Sequence, residues 1–133
     1  MSLRVTKKIC ISITLFAATT FVNASETQIH CPDTSVIRIA AHKINKAESV
    51  SLSAKAAYIA FTETSAFVES DLPWYIGVNG VYAKSEDKAI KTAIKMAKNT
   101  GYMKTKYGTE ITKGTYLCEY GPGEIVAYGG KIG

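Results

Sequence analysis

Histidine is nearly missing from this chain. It has two, His30 and His42, and neither stands in a recognisable motif with a serine, cysteine or aspartate. A histidine-clustered metal centre and a familiar nucleophile–base pair therefore have no starting point. No G-x-S-x-G, H-E-x-x-H or Walker-type loop occurs either. The three cysteines include no C-x-x-C, which removes the usual dithiol redox motif. Long apolar runs are also absent. The best one, from Ile9 to Phe21, covers about 13 residues, where crossing a bilayer takes ~20.

That short run has a meaning of its own. Arg4, Lys7 and Lys8 precede it, and Val22-Asn23-Ala24 follow with residues of the size a signal peptidase reads. The pattern predicts a cleaved signal peptide over 1–24, with the cut between Ala24 and Ser25. No cysteine follows the cut, so a lipoprotein anchor is not expected, and Cys10 leaves with the leader. The expected location is past the inner membrane, periplasmic or secreted, with no stable membrane insertion after cleavage. Losing three basic residues leaves 13 Lys and Arg against 11 Asp and Glu, so the formal charge falls from +5 to +2. A nucleic-acid partner is not expected at that charge. Residues 25–133 suffice for one small α+β domain.

Cys31 and Cys118 are the cysteines that remain. In an oxidising compartment they are expected to form one disulfide. Closing so long a loop corresponds to about 4 to 5 kcal/mol in the chain-entropy description. No metal centre is expected, since no histidine cluster completes this pair.

Asp33 or Thr34 can cap a first helix with apolar residues at helical spacing from Val36 to Ile44. Asn45 to Ser53 carries no clear pattern. Lys55 to Phe67 alternates as a strand, Glu69 to Pro73 reads as a turn, and Trp74 to Lys84 reads as a second strand. Asn79-Gly80 interrupts that strand, as a bulge rather than a hairpin, because hairpin arms would be too short. Ser85 caps a second helix, Glu86 and Asp87 suit its positive end, and Gly101 ends it. Tyr102 to Lys113 reads as a loop. Two more strands follow, joined by Gly121-Pro122-Gly123. The expected fold is α+β: one mainly antiparallel four-stranded sheet in αββαββ order, both helices on one face, stapled by the disulfide. The other face is left open to water or to a partner.

Two surfaces stand out as binding candidates. Lys84, Lys88, Lys91, Lys95 and Lys98 fall within an arc of about 80 degrees on the second helix, opposite its alanines and isoleucines. The stripe is at least the solvated side of an amphipathic helix, and it is a candidate anion-binding surface. Trp74 and Tyr75, beside the turn at Pro73, form a candidate aromatic interaction patch. No catalytic residues are assigned, and the chain is not expected to be an enzyme.

Several segments together resemble a known family. These are Cys31-Pro32 opening a helix, Trp74 opening an alternating strand, Ser85-Glu86-Asp87-Lys88-Ala89 starting an alanine-rich helix, and Tyr116-Leu117-Cys118-Glu119-Tyr120 in a late strand. In that order, behind a leader, they resemble the small exported proteins of intracellular Gram-negative bacteria that include a haemin-binding protein. The resemblance implies an exported binding protein for which haem is a possible cofactor or ligand. On the residues themselves, His42 is a conceivable axial ligand, as are Met96, Met103 and several tyrosines, and the lysines could meet the propionates. The expected function is thus a small exported binding protein for haemin or another anionic ligand. One alternative is a secreted interaction module that docks an envelope or host protein on the open sheet face. The other is an enzyme of unrecognised type.

Overall fold

The computed structural model describes residues 28–52 and 55–131. The expected leader and its cleavage point lie outside these residues. Among these residues, two α-helices and eight strands form. Helix α1 spans Thr34–Ala40 and continues into a 3-10 turn, Ala41–Lys43. Strands β1 (Lys46–Leu52), β2 (Lys55–Phe61), β3 (Phe67–Glu69) and β4 (Leu72–Tyr82) precede helix α2 (Glu86–Lys98). Strands β5 (Tyr102–Met103), β6 (Thr109–Thr112), β7 (Thr115–Gly121) and β8 (Ile125–Gly130) follow it.

All eight strands belong to one antiparallel sheet, ordered β1-β2-β4-β8-β7-β5. Strand β3 continues the β2 edge of β4, and β6 shares the outer edge of β7 with β5. The expected four-stranded sheet is therefore too small by half. Asn45 to Ser53, which gave no pattern, contributes β1. Glu69 to Pro73 is not a free turn but the tip of the β3–β4 hairpin, turning on Ser70 and Asp71, both at positive φ. Tyr102 to Lys113 is not a plain loop, because it holds β5 and β6. The missed strands share a cause. They lie at sheet edges or are very short, bury little, and so need no apolar alternation.

Asn79-Gly80 is a bulge within one strand. Tyr58 pairs with Val81 and Ala60 with Val78, so β4 carries one extra residue there, and Gly80 takes φ 65°. The bulge returns Val81 to the face that already holds Trp74, Ile76 and Val78, all buried.

Both helices cover that face. Ala89, Ala93 and Ala97 of α2 are completely buried, and their small side chains let the helix sit close to the sheet. Ile37 and Ile44 flank them in the same core. Trp74 fills the centre, and its ring lies where a Cβ on Gly129 would stand. Ser85 caps α2 by accepting from the Lys88 amide at 3.3 Å. At the other end, Arg38 of α1 donates to the Thr100 carbonyl at 2.8 Å and ties the helices together. The Cys31–Cys118 disulfide is present, joining the segment before α1 to β7 across 87 residues. Tyr120 reinforces this tie by donating its hydroxyl to the Pro32 carbonyl at 2.6 Å. Core, helices and disulfide all lie within residues 31–130, so a chain beginning at Ser25 retains the whole described fold.

Candidate functional site

The face away from the helices holds the candidate site. Alternation sends Phe61, Tyr75, Gly77, Val126 and Tyr128 to this side. Phe61, Gly77 and Val126 are register partners in one row across β2, β4 and β8. Tyr75 and Tyr128 are partners in the next row. Gly77 keeps the first row shallow: a Cβ there would stand 3.3 Å from Val126. Ile111 of β6 reaches over the same space, although β4, β8 and β7 lie between β6 and β2. The sheet thus curls into a trough that encloses about 550 Å³. Small-molecule sites usually fall between about 300 and 1,000 Å³.

The trough is apolar along its floor and polar at one end. Ile59, Phe61 and Val126 make the apolar part. Glu63, Thr112, Thr115 and Lys131 gather where β2 and β8 finish and β6 and β7 meet. Thr115 is held by its hydroxyl, which donates to the Lys131 carbonyl at 2.7 Å. Glu63 and Lys131 make no ion pair with each other. The Tyr75 and Tyr128 hydroxyls make no hydrogen bond to any described residue. Four polar groups in or beside an apolar trough are therefore free to meet a ligand.

The aromatic pair expected from sequence is divided. Tyr75 lines the trough, whereas Trp74 is fully buried on the other face, with its indole donating to the Glu69 carbonyl at 3.0 Å. His42 lies beside α1, on the helix side. Its Nδ1 donates to the Ile39 carbonyl at 2.9 Å, leaving Nε2 as the outward nitrogen. It borders a shallow groove of about 260 Å³ with Ile39 and Phe67. Met96 and Met103 pack against the core. The lysines from 84 to 98 are all exposed on the outer side of α2 or just before it. None of these residues enters the trough, so the candidate haem ligand His42 and the candidate anion stripe do not form one site with Tyr75.

The trough had a signal in the sequence. Ile125-Val126-Ala127-Tyr128 is a continuous apolar run, and such a strand has cover on both faces. Among the described residues no group of three or more His, Cys, Asp or Glu side chains could hold a metal ion, and no helix is long and apolar enough to cross a membrane. Comparison of the chain with family models, with curated proteins and with solved structures finds no match.

Proposed function

We propose that this chain is a small exported binding protein that holds a flat, mostly apolar ligand with an acidic group in the trough of its sheet. Haemin is the first member of that class to test. The observation that carries the reading is the 550 Å³ apolar trough with unpartnered tyrosine hydroxyls and Lys131 beside it. Burial of ring surface against Phe61, Ile59 and Val126 supplies the attraction. Lys131 meets the acidic group. Tyr75 and Tyr128 fit a ferric porphyrin, since a phenol oxygen is a known axial donor to haem iron. His42, on the helix side, has no part in this site. Export is supported by the leader-like N-terminus and by the disulfide.

Titration of residues 25–133 with haemin, followed by visible absorbance, tests the reading. A shifted Soret band that saturates at one equivalent, weakened in Tyr75→Phe or Tyr128→Phe and unchanged in His42→Ala, is expected. No saturable band would remove haemin. A band lost only in His42→Ala would move the site to the helix side.

A protein partner on the same face is favoured by one observation. Strand β6 is exposed at all four residues and pairs along one edge alone, with β7. An extended peptide could add there and place an apolar side chain beside Ile111.

A further inference from the structure

Helix α2 carries a second surface, on the opposite side of the molecule from the trough. Lys88, Lys91, Lys95 and Lys98 project from its outer side, and Lys84 stands just before its cap. All are exposed, and none forms an ion pair or donates an ammonium hydrogen bond among the described residues. Even Asp87, four residues before Lys91 and near the stripe, does not pair with it. An i,i+4 acid–base pair is the usual way to quiet such a face.

The composition of the stripe limits what it can recognise. Every cation is lysine, a compact point charge, and none is arginine, whose planar fork matches an individual phosphate or carboxylate. No aromatic lies among them to stack a nucleobase. The stripe is a ridge on a helix, and no α2 residue lines either cavity described above. Such a surface reads charge density and not ligand shape. Laterally mobile anionic headgroups present charge in that form. The alanines of α2 are locked into the core, so the helix has no apolar face left to insert.

We infer that the outer face of α2 docks this protein on an anionic bilayer surface by electrostatics alone. The helices stand between the bilayer and the sheet, so the trough opens away from the membrane and stays accessible. This inference is independent of what the trough binds.

Sedimentation of residues 25–133 with vesicles tests it. Phosphatidylcholine vesicles, with and without phosphatidylglycerol, are compared at low and high salt. Wild type is expected to sediment with the anionic vesicles at low salt, to be released by high salt, and to ignore pure phosphatidylcholine. Replacing Lys88, Lys91, Lys95 and Lys98 together by Glu should lower partitioning by ~100-fold or more. The same four changed to Gln should give a smaller loss, and near-ultraviolet circular dichroism checks that both variants are folded. Failure of wild type to bind anionic vesicles would overturn the inference, as would equal binding by a folded Glu variant. Retention on a soluble polyanion such as heparin without vesicle binding would also overturn it.

Discussion

Trp74 and Tyr75 are neighbours in the chain and lie on opposite faces of the sheet. Trp74 is wholly buried beneath the helices, and Tyr75 lines the open trough. One residue serves stability and the next is available for binding. The division follows from the two-residue repeat of a strand covered fully on one face and partly on the other.

Gly129→Ala should destabilise the fold by about 1 to 3 kcal/mol, because the new methyl would stand 2.6 Å from the Trp74 ring, which has no room to retreat. Urea unfolding followed by Trp fluorescence measures it. Gly114→Ala is a useful contrast. Nothing lies near its Cβ, so its cost comes from its φ of 83° and not from packing.

Removing the disulfide with Cys31→Ser and Cys118→Ser should cost about 2 to 5 kcal/mol. The bond closes an 87-residue separation between the start of α1 and β7. The wild type in reductant should approach the double variant, and the double variant should not respond to reductant.

Tyr120→Phe leaves the buried Pro32 carbonyl without its donor and should cost about 1 to 3 kcal/mol near neutral pH. Burial, then Glu69 and Asp33, hold the Tyr120 phenol well above the ordinary tyrosine range. Its pKa is therefore higher folded than unfolded. That stabilisation is complete below the unfolded value of about 10 and is lost as pH rises beyond it. Wild type should lose stability above that pH more steeply than Tyr120→Phe, as read by urea midpoints across the alkaline range.

Burial and then Asp33 raise the Glu69 carboxyl. The folded chain thus holds this proton more tightly than the unfolded chain does. Its contribution is complete below the unfolded carboxylate pKa and disappears as pH rises through the folded one. Glu69→Gln should flatten the part of the pH–stability curve that begins at the unfolded carboxylate pKa of about 4. A difference in slope between the two proteins over that acid range is the readout, and parallel curves would contradict the assignment.

Helix α2 was legible because its cap, its acidic first turn and its alanine face all agree. The bulge at Asn79-Gly80 was legible because a hairpin there would leave arms too short to pair. Strand β1 was not, since Lys46-Ala47-Glu48-Ser49 buries only Ala47 and an edge strand needs no more. The turn at Ser70-Asp71 was legible, but the hairpin it closes was not, because β3 is only three residues long. The trough was legible only in part, through the apolar run of β8. Its lining runs from Ile59 to Lys131, and no local pattern states that β6 will curl back over β2. The resemblance to exported proteins that include a haemin-binding protein implied a ligand but no face, and His42, the axial donor read from the residues themselves, lies elsewhere.

The most direct test of the account is amide chemical-shift mapping of residues 25–133 with the diamagnetic gallium analogue of haemin. Shifts are expected to concentrate at Phe61, Tyr75, Gly77, Val126 and Tyr128, while α2 and His42 stay still. Shifts confined to the lysine face of α2 or to the His42 groove would contradict it.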